Sequence, residues 1–438
     1  METRMTRSTR AALGLVLAVA VALGGCQATS KLYCEKHPDD RANCSGAGDG
    51  GPDTPSAHCT SAAACTMAGL TACDLGSDGG TCVQCIDDTT CGTTAPACGS
   101  DDTCHACTKN ADCLGSEMCL DDGSCADVAQ VAYLDGGALT NGDCTKAAPC
   151  NIAQDALATQ LPFIHVAGTN RTSQLAVARS VTLIGDGSSS ELAGTDPVTL
   201  ELQSGTIVIA GLTIRNTLLG GVGVSVPTNK TPDVTLERCV ITKNGGGGIV
   251  AANGTMTIER CNIFGNAAGG MSLGSQLAAM QVTVINNFIT GNGNPTGGVG
   301  GALINPAAGS KFQFNTVVDN RVKTMTAPTN AGGLNCLGTL TADNNLFARN
   351  FAANVASPAT NVVGCDPGTS VLEGMTITDL ALLDPEGVNH ADPDYHLTVA
   401  SAPAIDKAAG TTVSVDVDGD ARPNGSAADL GADEFTPP

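Results

Sequence analysis

The sequence predicts an all-β protein in which a parallel β-solenoid follows a cysteine-rich, disulfide-bonded region. Three observations indicate this fold class. An asparagine returns every 22 to 30 residues through the second half of the chain. The 54 glycines, set against only 21 lysines and arginines in 438 residues, disfavour long helices. Twelve of the 21 cysteines fall between Cys59 and Cys125.

Composition and charge exclude several classes of protein. A hydrophobic fraction of 42% is sufficient for a folded core, and with 3% aromatic residues that core must be mostly aliphatic. The formal net charge of −22 argues against nucleic acid as a partner, because binding it needs a basic surface. The same charge argues against a polyanionic glycan unless a bound cation intervenes.

Residues 1–25 are predicted to be a lipoprotein signal peptide. Three arginines lie within the first ten residues, and the apolar run 11–23 is too short to span a bilayer comfortably. The Leu-Gly-Gly-Cys sequence that ends at Cys26 resembles the lipobox of bacterial lipoproteins. That resemblance implies export, cleavage before Cys26 and a diacylglycerol on its sulfur. The alternative is an ordinary signal peptide that happens to precede a cysteine.

Residues 26–58 are interpreted as a lipid-anchored linker, so the membrane is the first predicted partner. Gln27 follows the modified cysteine and favours the outer membrane or the cell surface. Two further cysteines, Cys34 and Cys44, lie in this linker.

Residues 59–125 are predicted to be cysteine-rich repeats, three modules of four cysteines each. Each module is too small to bury a core, so two disulfides apiece would stabilise it, and spacing leaves three pairings open per module. The CxxC pairs at 82–85 and 104–107 could instead bind zinc or act in redox chemistry. The modules are residues 59–82 (module 1), 85–104 (module 2) and 107–125 (module 3).

A repeat of short strands fills the second half of the chain. Two or three strand-like pieces per period, separated by Asn and Gly, are typical of one coil of a β-solenoid. Stacked coils are about 4.8 Å apart, so equivalent asparagines can hydrogen-bond as a ladder. The predicted ladder comprises Asn216, Asn244, Asn266, Asn292, Asn320 and Asn350, each ending a piece such as CVITKN (239–244) or NFITGN (287–292).

From Val131 to Phe435 the chain resembles the right-handed parallel β-helix repeat family, the pectin-lyase-like superfamily. The resemblance implies a solenoid over 131–386 and a closing segment over 387–438, which contains DYHLTVASAPAID and DVDGDARPNGSAADLGADEF. The segment 148–157 resembles the helix that caps such solenoids, with Asn151 as its N-cap. The superfamily contains polysaccharide lyases and glycoside hydrolases, and also members without activity.

The six remaining cysteines form three sequence pairs. Cys239 and Cys261 each lie five residues before a ladder asparagine, and Cys336 and Cys365 also occupy matching coil positions. A bridge is favoured for 336/365, whereas for 239/261 a bridge and two stacked thiols both remain open. The third pair, Cys144 and Cys150, would close a short loop beside the cap.

Glu237 and Glu259 are the candidate catalytic residues. They occupy the same position on adjacent coils, as do the arginines that follow them, Arg238 and Arg260. A glycoside hydrolase needs two carboxylates roughly 5 to 9.5 Å apart, and a lyase needs a basic residue with a neutralised uronate. The alternative is an outward, solvated face without a catalytic role.

Two strings of residues suggest metal ligands. Asp416, Asp418 and Asp420 alternate as in calcium loops, although Ala421 and the lack of a distal Glu depart from an EF-hand. The alternative is polar capping of the end of the solenoid. A second string runs from His390 through Asp392 and Asp394 to His396. No cofactor is required by the sequence, and Ca²⁺ is the cation it suggests.

These features predict a cell-surface lipoprotein that displays a parallel β-helix for structural, adhesive or recognition roles. A glycan or a surface protein would be its ligand, although zero Trp and three Tyr offer little aromatic surface for stacking sugars. The competing hypothesis is a surface-anchored polysaccharide lyase or glycoside hydrolase, which depends on fold analogy alone.

Overall fold

The computed structural model describes residues 58–437, apart from 60, 63–64, 66–68, 76–79, 324–330, 353–354, 357, 374–381, 383–393 and 411–412. The predicted signal peptide, Cys26, Cys34, Cys44 and nearly all of the linker lie outside the described residues. The chain divides into two compact units, residues 1–86 and 87–438, which are taken separately below.

The described part of the first unit contains a small antiparallel sheet. Its strands are β1 (His58–Cys59), β2 (Ala72–Asp74) and β3 (Gly80–Val83), with β3 in the middle. Disulfides join Cys59 to Cys73 and Cys65 to Cys82, so module 1 pairs its first cysteine with its third and its second with its fourth. Disulfide cross-links therefore take the place of a larger apolar core in this unit.

The second unit is dominated by a right-handed parallel β-helix with three long sheets, as the sequence predicts. Sheet A contains β6 (Val131–Asp135), β7 (Phe163–Ala167), β10 (Val181–Gly185), β13 (Thr206–Ala210), β16 (Asp233–Glu237), β19 (Thr255–Glu259), β22 (Gln281–Ile285) and β25 (Lys311–Gln313). Sheet B contains β8 (Thr169–Thr172), β11 (Glu191–Gly194), β14 (Thr213–Asn216), β17 (Val240–Thr242), β20 (Asn262–Phe264), β23 (Phe288–Thr290), β26 (Thr316–Val318), β29 (Leu346–Ala348) and β33 (Val371–Leu372). Sheet C contains β9 (Leu175–Val177), β12 (Val198–Leu202), β15 (Val222–Val226), β18 (Ile249–Ala251), β21 (Met271–Leu273), β24 (Ala302–Ile304), β28 (Leu334–Cys336) and β32 (Val362–Val363).

Short elements complete this unit. They are β4 (Ala97–Cys98) with β5 (Cys104–His105) in module 2, a small sheet of β27 (Arg321–Val322), β30 (Phe351–Ala352) and β31 (Val355–Ala356), and helices α1 (Ala153–Ala158) and α2 (Pro358–Asn361). None of the helices in the described residues is both long enough and apolar enough to cross a membrane.

The core follows from the alternation of apolar and polar residues along each strand. In β16, Val234 and Leu236 are buried while their neighbours point outward. Parallel register places Val234 beside Met256, and Met256 beside Val282, on successive strands of sheet A. Each fully buried aliphatic side chain contributes roughly 1.5 to 3 kcal/mol, so the core is stable with few aromatic residues.

Helix α1 lies where the cap was predicted, but its N-cap differs. Ile152 is the N-cap residue and its side chain accepts no hydrogen bond from the helix N–H groups, whereas the amide of Asn151 donates to the carbonyl of Ala138 at 3.0 Å. The side chains of Ala153 and Ala156 are buried in the core and pack this short helix against the first coils. Packing therefore sets its start, and the prediction of Asn151 as cap is wrong.

Five of the six predicted asparagines form the ladder. The side-chain amide of Asn244 donates to Asn266, and the same bond continues through Asn292 and Asn320 to Asn350, at 2.8 to 3.0 Å. Asn216 is not part of it. Sheet register aligns Thr213 with Val240, which places Asn216 opposite Lys243, and its amide donates to the carbonyl of Asp196 instead.

A second ladder runs along the residues that directly precede five successive strands of sheet B, from β17 to β29. The amide of Asn287 donates to Asn315, and that of Asn315 to Asn345, at 2.9 and 3.0 Å. Cys239 and Cys261 occupy the same position on the two preceding coils. The backbone N–H of Cys239 donates to the sulfur of Cys261 at 3.4 Å, and that of Cys261 to Asn287 at 2.8 Å.

The structure resolves the three late cysteine pairs. Cys144 is bonded to Cys150, and Cys336 to Cys365. Cys239 and Cys261 are buried free thiols, so a bridge between them, as one of the two options predicted, is not formed. The sulfur of Cys261 serves as an acceptor in the second ladder.

The closing segment packs along the outer face of sheet B. Phe288, Val318 and Ala348 point outward from this sheet and are nevertheless buried, because Tyr395, Leu397, Ala404, Leu430 and Ala432 cover them. The amide of Ala432 donates to the hydroxyl of Thr316, and Asn286 donates to the carbonyl of Val415. The described part of the segment therefore covers a side of the solenoid, whereas the sequence predicted closure of its end.

Module 3 packs on sheet A in a similar way. Ile184 and Ala210 are buried beneath Met118, and the hydroxyl of Tyr133 donates to the carbonyl of Ser116 at 2.9 Å.

Disulfides join Cys107 to Cys119 and Cys113 to Cys125, and in module 2 Cys91 to Cys104. All four CxxC cysteines are in disulfides, and none of these joins the two cysteines of one motif, which excludes the zinc and redox interpretations.

Candidate functional site

A groove of about 890 Å³ lies between module 3 and sheet A, and we call it the module-3 groove. One wall comprises residues 106–111 and 119–123, and the other comprises the ends of four sheet A strands. Its charged lining residues are Lys109, Asp121, Asp122, Asp186, Glu237, Arg238, Glu259 and Arg260. Both walls belong to the second unit, so the groove is formed within one compact body.

Asn110 fixes the position of module 3 over the sheet. Its amide donates to the carbonyl of Gly185 at 3.1 Å and to the carboxylate of Asp186 at 2.8 Å. Its side-chain oxygen accepts from the backbone of Cys119 at 3.0 Å. Lys146 adds bonds to the carbonyls of Leu114 and Gly115 from the other side. The module is therefore positioned by directional bonds as well as by apolar contact.

Glu237 and Glu259 are the last residues of β16 and β19 and lie side by side in register. Both line the module-3 groove, as do Arg238 and Arg260. The two arginines have left-handed backbone, φ 51° and 56°, and this turn redirects the chain from sheet A toward sheet B. The structure thus brings the four charged residues singled out from the sequence to one wall.

The two carboxylates differ in their electrostatic environment. Glu237 is close to both arginines, with nitrogen–oxygen distances of 3.5 Å to Arg238 and 3.9 Å to Arg260. Burial raises the pKa of Glu259, and the neighbouring charge of Glu237 raises it further. One carboxylate is therefore matched with cations, while the other favours its protonated form more than an ordinary glutamate does.

This arrangement has some of the features of acid–base chemistry. Adjacent strands are about 4.8 Å apart, close to the 5 to 5.5 Å that separates the carboxyl groups of retaining glycosidases. A raised pKa suits a general acid, which would be Glu259. The same arrangement is equally suited to binding, because it presents two hydrogen-bond acceptors between two guanidinium groups.

A second cavity of about 480 Å³ shares Arg238 and Arg260 with the module-3 groove. We call it the closing-segment cavity, because the closing segment contributes Asp394, Tyr395, His396, Val417 and Asp418 to its lining. The guanidinium of Arg260 donates to the carbonyl of Val417 at 3.1 Å, which ties the closing segment to the turn after β19. Arg260 therefore borders both spaces.

His396 lies between two carboxylates of the closing segment. Its Nδ1 contacts Asp394, and its Nε2 is 2.8 Å from Asp418. The hydrogen bond with Asp418 raises the pKa of His396 to about 9. Asp433 lies nearby, and burial raises its pKa to about 6. The imidazole is the one cationic ring among these carboxylates.

The predicted calcium loop does not converge in the described residues. Asp416 is fully buried, and one of its oxygens accepts from the backbone N–H groups of Asp418, Gly419 and Asp420 at 2.8 to 2.9 Å. Its other oxygen accepts from the N–H of Glu434. Asp418 turns to His396 instead. Because its oxygens already bind backbone N–H groups, Asp416 serves the fold, and the three residues do not fit a Ca²⁺ site.

Sequence reasoning placed His396 and Asp418 in separate strings and did not join His396 to Asp418 and Asp433, because the three residues are separated by up to 37 positions. His396 was noted only within the string beginning at His390 and Asp392, which lie outside the described residues. It also missed the second ladder, although Asn287, Asn315 and Asn345 repeat at the intervals of the first. The packing of module 3 on sheet A could not be predicted, because no repeat in the sequence indicates it.

The family-model comparison supports the fold. Residues 190–366 match the family model described as a right handed beta helix region. A solved structure, the crystal structure of pectate lyase Pel9A, is similar with 16% identity, over 71% of this chain and 99% of that chain, at a TM-score of 0.44. No curated protein matches the chain. The second unit thus contains a right-handed parallel β-helix, which defines its class by fold.

Proposed function

We propose that this chain is an exported, lipid-anchored surface protein whose β-helix presents the module-3 groove as a ligand-binding surface. The observation that carries the proposal is the docking of module 3 over sheet A, which builds a groove of about 890 Å³ with charged side chains on both walls. Grooves at contacts between elements are common sites for ligands. The lipobox-like sequence ending at Cys26 supports the anchor.

The charge of the groove indicates the ligand. Five carboxylates and three cationic side chains line it, and the whole chain is strongly acidic. A polyanion would be repelled, while a neutral glycan or a polar peptide of a surface protein can use both donors and acceptors. A neutral glycan is the ligand class we put first, because its hydroxyl groups can bond to both kinds of side chain.

Binding is tested with the purified full chain and a panel of neutral and acidic oligosaccharides, measured by calorimetry. We expect a neutral member to bind and E259Q to weaken its affinity at least fivefold, since the groove loses a charged acceptor. The matched control is E201Q, the same substitution on sheet C. Equal affinity of E259Q and the unsubstituted chain, or binding by acidic members alone, would contradict this assignment.

A second candidate function is glycoside hydrolysis, favoured by the register of Glu237 with Glu259 and by the raised pKa of Glu259. The test is incubation with the same oligosaccharides, followed by an assay for new reducing ends; absorbance from unsaturated uronates would indicate a lyase instead. Hydrolysis would replace the binding assignment if E237Q and E259Q each lowered its rate at least 100-fold. Absence of products leaves binding as the function.

The anchor has its own test. Growth of the producing cells with labelled fatty acid is expected to label the unsubstituted chain and not C26S. Label on C26S, or none on either chain, would remove the lipid from the proposal while leaving the groove assignment in place.

A further inference from the structure

Three potential metal ligands converge in the closing segment. One ligand atom from each of His396, Asp418 and Asp433 lies within 4.8 Å of the other two. The residues come from separate parts of the segment, which the fold brings together beside β23. None of the three is part of the solenoid repeat, and the proposed ligand groove does not use them.

The imidazole is held in the orientation that a metal-binding histidine needs. Asp394 contacts Nδ1 and also accepts the backbone N–H of His396 at 3.0 Å. The ring packs edge-on against Phe288, with centroids 5.0 Å apart. Metal-bound histidines usually donate their second ring N–H to a carboxylate, which fixes the tautomer and leaves the other nitrogen to the metal. Here Nε2 is the other nitrogen, 2.8 Å from Asp418, and a bound metal ion would replace the proton that these two groups share and release it to solvent.

Two of the ligands are fixed and one can adjust. Asp433 is 7% exposed, and one of its oxygens accepts the backbone N–H of Leu397 at 2.7 Å. Asp418 has 57% side-chain exposure and is 2.8 Å from Nε2 of His396. A Zn²⁺ ion needs about 2.0 to 2.2 Å to each nitrogen or oxygen ligand. The exposed Asp418 side chain is the ligand that can move to admit an ion.

The local charge favours a cation. Asp394, Asp418 and Asp433 surround His396, Asp416 lies near Asp433, and Arg260 is the cation that faces Asp418 from the solenoid. His396 and Asp418 also line the closing-segment cavity, through which an ion and its water ligands can enter. One imidazole with two carboxylates suits a transition metal, whereas Ca²⁺ takes six to eight oxygen ligands.

We propose that His396, Asp418 and Asp433 bind a divalent transition-metal ion of the Zn²⁺ type, with Asp394 as the residue that positions the imidazole. The site is distinct from the calcium loop suggested by the sequence, because Asp416 and Asp420 are not ligands in it. Its effect is to tie three parts of the closing segment together.

The experiment is calorimetric titration of the metal-free full chain with Zn²⁺, and separately with Ca²⁺. We expect one Zn²⁺ per chain, at least tenfold weaker binding in D418N and in H396Q, and 10- to 100-fold weaker binding in D394N. D420N is the matched control, since Asp420 lies in the same loop outside the group, and it should bind as the unsubstituted chain does. Zn²⁺ should also raise the unfolding midpoint of the unsubstituted chain and not that of D418N.

Three results would overturn the proposal: no heat with Zn²⁺, tighter binding of Ca²⁺ than of Zn²⁺, or equal Zn²⁺ binding by D418N and the unsubstituted chain. The last result would place the ion elsewhere in the molecule. Because Asp418 is exposed, D418N is expected to fold, and circular dichroism of each variant verifies this.

Discussion

A single ladder asparagine makes more hydrogen bonds than its neighbours in the strands. The amide of Asn292 donates to the carbonyl of Ile263 and to Asn320, and its side-chain oxygen accepts two bonds from Asn266. The residue is fully buried. Each such side chain satisfies backbone groups of the turn below it, which would otherwise be buried without partners.

Replacing Asn292 by alanine should therefore destabilise the solenoid. The N–H of Asn266 and the carbonyl of Ile263 lose their bonds in a buried turn, at a cost of at least about 2 kcal/mol. Denaturant unfolding measures the free energy, and N229A, at an exposed asparagine, is the control, expected to change it by less than about 0.5 kcal/mol. Equal losses in both variants would mean that the ladder is not a source of stability.

Glu259 yields a prediction on pH dependence. Its folded-state pKa is raised by burial and by Glu237, so the folded chain binds this proton more tightly than the unfolded chain does. That stabilisation is fully present below the unfolded pKa and is lost as the pH rises through the folded one. E259Q should thus raise the unfolding midpoint at about pH 7, on the order of 1 °C, and not at about pH 4.

Scanning calorimetry at both pH values measures the effect. The control, E201Q, removes a carboxylate that accepts bonds from Gln174 and Gln203, so it should lower the midpoint. A lower midpoint for E259Q at neutral pH would show that its charge is stabilising.

At the scale of the elements, the position before each sheet B strand accepts different side chains on successive coils. Ser190 and Leu212 precede β11 and β14, Cys239 and Cys261 occupy the position on the next two coils, and Asn287, Asn315 and Asn345 follow. A thiol at Cys261 and a carboxamide at Asn287 both accept the backbone N–H of the coil before, so more than one kind of acceptor fits this position, and the apolar Leu212 fits it on an earlier coil. The left-handed residue before the slot is likewise variable, with Arg260, Asn286 and Phe314 all found there.

Thiol counting without reductant tests this slot. In native protein Cys239 and Cys261 are fully buried, so a thiol reagent should not label them. In denaturant the unsubstituted chain should show two more reactive thiols than C239A/C261A. Equal counts in denaturant would mean that the two cysteines are bridged.

Periodicity accounts for what the sequence predicted correctly, and contacts between distant segments account for most of what it missed. The ladder from Asn244 to Asn350 and the alignment of Glu237 with Glu259 both follow from the repeat. Asn216 does not, because its interval to Asn244 is 28 residues while the strand register advances by 27 from Thr213 to Val240. The difference of one residue between these two numbers lies in a turn, and residue propensities do not predict it.

At the scale of the molecule, two appendages cover two sides of the solenoid, module 3 on sheet A and the closing segment on sheet B. Arg422 holds the second of these in place. Its guanidinium donates to the carbonyls of Asp429, Gly431 and Ala432, lies 4.5 Å from the ring centre of Phe314, and is fully buried. Glu434 supplies the nearest opposite charge, 3.6 Å from Nε.

Replacing Arg422 by leucine should release the closing segment. Three carbonyls and the buried Glu434 lose their cation, at a cost of about 3 to 5 kcal/mol. Urea unfolding measures the loss, and binding of an apolar dye reports exposure of Phe288 and Val318. The control is K407L at an exposed position, which removes the same charge. A stability of R422L equal to that of K407L would contradict the role assigned to Arg422.

The bonds from the closing segment to the middle coils also shape how the chain can fold. A solenoid ordinarily grows coil by coil, since each coil contacts only its neighbours in sequence. Here Val417 meets Arg260, 157 residues earlier, and Val415 meets Asn286, 129 residues earlier. Because contacts of such high sequence separation slow folding in general, we expect the covering of the outward side of sheet B to be a late and slow step. The outward side of sheet B is therefore covered only after the closing segment has been synthesised.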